Sequence, residues 1–120
     1  MALQSRLFRD DRRLQACLLQ DSSHVTPGAI GDHVGRIQAA LALIEDARIA
    51  RHEIKTKEYG PSTADAVLAY KRRRAIINSS YQTQADNIVG KMTIAALDKE
   101  LLQIELTSAG YDNKCTFKRT

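Results

Sequence analysis

The sequence predicts an all-α fold, a compact three-helix bundle with an extra N-terminal helix. Three observations carry that expectation. Val34, Ile37, Leu41 and Ile44 recur at i, i+3, i+7 and i+10, the spacing that lays apolar side chains along one face of a helix. Ile94, Leu97, Leu101 and Ile104 repeat the same spacing near the C-terminus. Between them, Gly60-Pro61-Ser62-Thr63 reads as a helix entrance, because proline is tolerated in the first turn, where its missing N–H has no partner to lose.

The elements follow in order. From Asp10 to Gln20, Leu14, Cys17 and Leu18 fall at i, i+3 and i+4 behind acidic residues that suit a helix N-terminus, so a short first helix is expected. Residues 21–32 are rich in Ser, Thr, Pro and Gly and read as a loop in which Asp32 caps the next helix, starting near His33. Arg36, Glu45 and Asp46 fall on the water side of that second helix. Residues 47–59 show no sustained period and read as mostly loop, with Ile49 and Ile54 available to plug the core. A third helix runs from the Gly60-Pro61 entrance to about Ile77, with Ala66, Val67 and Tyr70 as its buried stripe. Lys71, Arg72, Arg73 and Arg74 cannot all face inward, so a basic surface is expected at its end. The polar run 78–87 separates it from the last helix, which opens after Val89-Gly90. These elements divide the chain into an N-terminal helix and loop (1–27), a helical domain (28–106) and a tail (107–120).

Composition narrows the function classes. The 120 residues are 43% hydrophobic and 27% charged, which suits one ordinary globular core. Aromatic residues make up 5% with no Trp, which argues against a stacked lectin groove. A net charge of +4 favours acidic partners without choosing among them. No apolar run is long enough to span a membrane, and the first residues have no apolar core of a signal peptide, so a cytoplasmic location or export by a non-classical route to the periplasm or cell wall is expected. Cys17 and Cys115 lack metal-type spacing, and their pairing is left open by the sequence.

Catalytic chemistry finds no support in the motifs. His24, His33 and His52-Glu53, with Asp21, form the single metal or acid-base candidate, and their spacing matches no zinc motif. Ser22, Ser62 and Cys17 lack the contexts of activated nucleophiles. A noncatalytic protein without cofactor or catalytic metal is expected.

Tyr59-Gly60-Pro61-Ser62-Thr63-Ala64-Asp65-Ala66-Val67 aligns with Val89-Gly90-Lys91-Met92-Thr93-Ile94-Ala95-Ala96-Leu97: apolar, Gly, two residues, Thr, two residues, Ala, apolar. In such an entrance Gly allows a tight turn, Thr can satisfy free first-turn N–H groups, and the small Ala lets helices approach. With Gly31, Val34, Ile37, Gln38 and Leu41 in the preceding helix, the chain resembles the peptidoglycan-binding domain family over roughly Gly28 to Leu102. That family's pattern is a Gly-x-x-Val-x-x-Ile/Leu-Gln-x-x-Leu helix followed by two Gly-x-x-Thr-x-x-Ala entrances. Gly60, Thr63, Ala66, Val67 and Tyr70 match the second helix, and Gly90, Thr93, Ala96 and Leu97 the third. The chain is divergent: Glu58-Tyr59-Gly60 and Ile88-Val89-Gly90 stand where the family has Asp-Gly, Tyr70-Lys71 replaces Phe-Gln, and the first linker is longer.

The resemblance implies a noncatalytic peptidoglycan (cell-wall) binding module with a hydrolase or secreted effector as partner. Tyr59, Tyr81, Gln82, Asp86 and Asn87 flank the two entrances and offer rings and amides suited to a sugar-peptide polymer, while Arg72 and Arg73 offer charge to its carboxylates. Two other readings stay open. One is an intracellular or secretion-linked protein adaptor on the same fold. The other is nucleic-acid binding through the basic helix end, which ranks lower because no recognition element or aromatic platform accompanies it.

Overall fold

Asp11 starts the first helix by accepting the Leu14 N–H at 3.1 Å, one of the orphan donors that every helix N-terminus leaves. In this computed structural model, which describes residues 2–20, 23–76 and 87–115, α1 spans Arg12–Leu19 and buries Leu14 and Cys17. The second helix, α2, spans Asp32–Glu45. Its cap is Gly31 at φ 146°, a conformation that L side chains rarely adopt, and Asp32 is instead its first residue, well placed toward the positive end of the dipole.

Val34, Ile37 and Leu41 of α2 are fully buried, as the periodicity predicts, with Ile44 packed at the edge of the core. Arg36 is not simply solvated. It is half-buried, its guanidinium 3.3 Å from Asp11 and donating to the Leu7 carbonyl at 2.7 Å, which ties the N-terminal arm to α2. A short helix, α3, occupies Arg51–Thr56, where the sequence reads as loop. Ile49 packs against the core as expected, whereas Ile54 is 50% exposed and plugs nothing.

The fourth helix, α4, spans Pro61–Arg74, and the fifth, α5, spans Lys91–Cys115. Val67 and Tyr70 of α4 and Ile94, Leu97 and Leu101 of α5 are buried, and the α5 stripe ends at Ile104, which is 36% exposed. The helix itself continues well past that point, through a segment whose sparse apolar content gives no packing signal. α5 packs against α1 and α2, and α2 also packs against α4. The result is an all-helical bundle of five helices among the described residues, with two isolated β-bridges and no strand.

The N-terminal residues belong to the same core. Leu3 and Phe8 are buried with Leu14, Cys17 and Val25 against the α2, α4 and α5 side chains. Asp98 of α5 accepts the N–H groups of Gln4 and Ser5 at 2.9 and 2.8 Å, and Glu105 accepts that of Arg6 at 2.8 Å. These carboxylates latch an arm that has no regular secondary structure of its own to satisfy its backbone. Among the described residues, no helix is long and apolar enough to cross a membrane.

Candidate functional site: the α4 helix and its groove

The two Gly-x-x-Thr entrances are built alike. Gly60 O accepts the Ala64 N–H at 2.9 Å, and Gly90 O accepts the Ile94 N–H at 2.9 Å, so each glycine closes the first turn of its helix. Thr63 and Thr93 are both buried. The loop segment 23–31 ties both entrances together. Val25 exchanges two backbone hydrogen bonds with Val89, at 3.0 and 2.9 Å, while Tyr59 donates to Ala29 O and accepts from Gly28 N–H, both at 2.8 Å.

Glycine is needed at these entrances for space. Gly60 has φ −97°, accessible to any residue, but a Cβ there would lie 2.6 Å from the Glu53 carboxyl carbon. At Gly90 a Cβ would lie 3.1 Å from the His24 ring, a looser fit. Nor does Thr63 satisfy the first-turn N–H groups of α4. Glu53, from α3, does so: it accepts Ser62 N–H at 3.0 Å, Thr63 N–H at 2.9 Å and the Thr63 hydroxyl at 2.8 Å. Gln38 completes the cluster, its Nε2 donating to the Thr63 hydroxyl oxygen and the Glu58 carbonyl, both at 3.0 Å. Burial of Glu53 alone would push its carboxyl up, but the hydrogen bonds from Ser62 and Thr63 outweigh it and hold the group down at about 2. This carboxylate is an ionised structural anchor, 2% exposed.

At the other end of α4 the basic run is split by direction. Lys71 is 5% exposed, and its Nζ donates to the Ile88 carbonyl at 2.8 Å. Arg73, about 200° further around the helix, pairs with Glu45 at the end of α2. Arg74 pairs with Glu45 at 2.6 Å and Glu100 at 2.7 Å while lying 4.7 Å above the Tyr70 ring. The Tyr70 hydroxyl donates to Glu100 at 2.5 Å; burial first, and then this carboxylate, hold the phenol well above its usual range. Arg72 and Arg73 are both exposed, and Arg73 differs in being paired with Glu45. The expected basic surface is therefore smaller than the sequence implies, since one cation is buried and two are matched by Glu45 and Glu100.

Beside this network, between α4 and the chain leaving α2, lies a groove of about 280 Å³. Ala47, Ala66, Ala69 and Tyr70 give it an apolar floor, with Arg48, Asp65 and Arg73 around it. Two of these charges are positive and Asp65, with the nearby Glu45, is negative, so the groove is close to neutral and offers both kinds of partner to a ligand.

The candidate contacts named from the sequence do not gather in one place. Arg73 borders this groove, and Arg72 is exposed on the next position of the helix. Tyr59 is 1% exposed and its hydroxyl donates to the Asn87 carbonyl, so its ring is a core group and presents no face to a polymer. The Asn87 carbonyl accepts from the Tyr59 hydroxyl and the adjacent Ile88 carbonyl from Lys71, so this segment lies on the Lys71 side of α4. Tyr81, Gln82 and Asp86 lie outside the described residues. Sequence reasoning missed Arg48, Asp65 and Ala69; the i+4 step from Asp65 to Ala69 and Arg73 was the available signal.

The histidines lie apart from one another along the chain and differ in burial. His24 lies against Gly90 and His33 against Gly31, while His52 is exposed on α3. Burial, followed by the nearby Arg13 charge, lowers the His33 imidazole below its usual range. Asp21 and Ser22 lie outside the described residues, and among those described no group of three His, Cys, Asp or Glu side chains is arranged to hold a metal ion. The Cys17 thiol is buried and donates to the Val89 carbonyl at 3.3 Å; burial pushes it up to about 11, the opposite of an activated nucleophile. Comparison with protein-family models, curated proteins and solved structures finds no match to this chain.

Proposed function

We propose that this chain is a noncatalytic binding module for peptidoglycan, and that the groove between α2 and α4 receives the sugar-peptide polymer. The observation that carries the proposal is the matched pair of helix entrances, Gly60 to Thr63 and Gly90 to Thr93, each closed by an equivalent first-turn hydrogen bond and tied to one loop segment. That framework is what the peptidoglycan-binding resemblance rests on, and the groove lies directly along the helix the first entrance opens. Alanine methyl groups and the Tyr70 ring suit the apolar edges of a sugar and its N-acetyl group, while Arg48, Arg73 and Asp65 complement the carboxylates and amines of stem peptides. A partner hydrolase or secreted effector would be carried to the wall by such a module.

Nucleic-acid binding is the weaker alternative. A phosphate backbone calls for uncompensated cations, whereas Arg73 and Arg74 are matched by carboxylates and Lys71 is buried.

Co-sedimentation with purified sacculi tests the proposal. The wild type should sediment, Ala69→Trp should fill the groove and abolish enrichment, Arg73→Ala should weaken it, and Arg72→Ala should leave it nearly unchanged. Loss of sedimentation to the level of a charge-matched control protein for the wild type would overturn the proposal. A parallel titration with duplex DNA should show only salt-sensitive association.

A further inference from the structure

The α4 groove has two unlike ends. At one, Arg73 and Arg74 share the Glu45 carboxylate, so those charges are already matched. At the other, the Ala50 N–H donates to the Ser62 hydroxyl oxygen at 2.8 Å, so the chain leaving α2 runs antiparallel to α4, from the Glu45–Arg73 contact down to Ser62. Arg48 is thereby set across the groove from the turn that carries Asp65 and Ala69. Asp65 precedes Arg73 by two helical turns, about 12 Å along the axis, so the two lie at separate ends. Arg48 and Asp65 are both exposed, and neither forms an ion pair with any described residue, including the other.

An unmatched cation and an unmatched anion on facing walls, over an apolar floor of Ala66 and Ala69, fit a group that carries an ammonium and a carboxylate together. A neutral sugar would use neither charge, and a simple anion would meet the Asp65 carboxylate across a narrow groove. In a sugar-peptide polymer, the stem peptides carry such groups only while their side-chain amines are free. A crosslink turns the amine into an amide, which has no charge and gives Asp65 no cation to pair with.

We propose that this groove selects uncrosslinked stem peptides, with Asp65 taking the free ammonium and Arg48 a carboxylate of the same stem. The inference rests on the peptidoglycan reading above and adds to it a choice between two states of the stem peptide. It also sets the direction of a charge effect. Acetylating the free amines leaves the polymer more negative, which strengthens generic attraction to a chain of net charge +4 but removes the Asp65 contact.

The test is co-sedimentation of the full chain with native sacculi and with sacculi whose free amines have been acetylated by acetic anhydride. Wild-type affinity should fall about three- to fivefold on acetylation, the range of one exposed ion pair. Asp65→Asn should bind native sacculi more weakly by the same factor and lose the sensitivity to acetylation. Asp10→Asn, which makes the same change in net charge at an exposed position outside the groove, should keep it. Arg48→Gln should weaken binding to both preparations alike. A disaccharide-tetrapeptide monomer, with its amine free or acetylated, assigns the effect to the stem peptide: amide shifts at Asp65, Ala66 and Ala69 of the ¹⁵N-labelled chain should saturate earlier with the free amine. Affinity that is unchanged or higher after acetylation, an Asp65→Asn variant that keeps the sensitivity, or equal shifts from the two monomers would overturn this proposal while leaving the binding reading intact. No sedimentation of the wild type with either preparation would overturn both.

Discussion

Glu53 uses both carboxylate oxygens, one toward Ser62 N–H and the other toward Thr63 N–H and hydroxyl, so a glutamine in its place has one oxygen for two donor sites and turns an amide against the other. Glu53→Gln should destabilise the protein by about 2 kcal/mol in urea denaturation. The wild-type group has a folded value near 2 against an ordinary value of 4.5. Its contribution is therefore complete above the ordinary value and is lost as the pH falls from there toward 2, an effect of about 3 kcal/mol. Stability measured at successive pH values should fall across that window in the wild type and fall less in Glu53→Gln. The neighbouring glycine gives a second prediction. Gly60→Ala drives a methyl group to 2.6 Å from the Glu53 carboxyl carbon and should cost about 3 kcal/mol, whereas Gly90→Ala meets only a ring edge at 3.1 Å and should cost about 1. The glycines and Thr63 were legible from the repeat, but their reasons were not. Glu53 sits in a stretch of mixed charge, and nothing in its spacing announces that it will be buried.

Helices were legible where a long apolar period existed and illegible where another element supplies the stability. α2 and α4 fall close to their expected ranges because each presents a full stripe to the core. α3 is a six-residue helix, too short for a period to register, and it forms because Glu53 is pinned from α4 and Gln38 from α2. The arm before α1 was equally silent, since Leu3 and Phe8 are isolated apolar residues whose burial depends on Asp98 and Glu105 latching the backbone. Phe8→Ala should therefore cost about 3 to 5 kcal/mol in the same denaturation assay, as large as a loss from the central helices. Helix ends offer the opposite sign. α4 stops at Ala75, a non-glycine residue held at φ 53°, where its Cβ crowds the carbonyl. Ala75→Gly relieves that strain and should stabilise the protein by about 1 kcal/mol, visible as a rise of about 4 °C in Tm.

Across the whole molecule, the arm, α1, the loop segment 23–31 and α5 meet around Cys17, so exposing its thiol requires several elements to part together. Cys17 is fully buried, donates to Val89 O, and stands directly behind the Val25–Val89 bridge that seats the α5 entrance. If this bundle opens as one cooperative unit, modification of the thiol reports global unfolding and no smaller fluctuation. In a Cys115→Ser background, which leaves Cys17 as the sole cysteine, reaction with an aromatic disulfide reagent should be at least about a thousandfold slower in native buffer than in urea, matching the population of the open state. The same logic separates the elements. Val25→Ala should raise the Cys17 labelling rate by the factor its loss of global stability dictates, and Phe8→Ala should do the same although the ring belongs to the arm. Labelling that accelerates for Val25→Ala beyond its stability loss, while Phe8→Ala follows stability alone, would mean that the α5 entrance opens by itself. The two matched entrances would then differ in kind: the first locked by the buried Glu53 carboxylate, the second held through backbone carbonyls, by the Val25–Val89 bridge and by the donors Cys17 and Lys71.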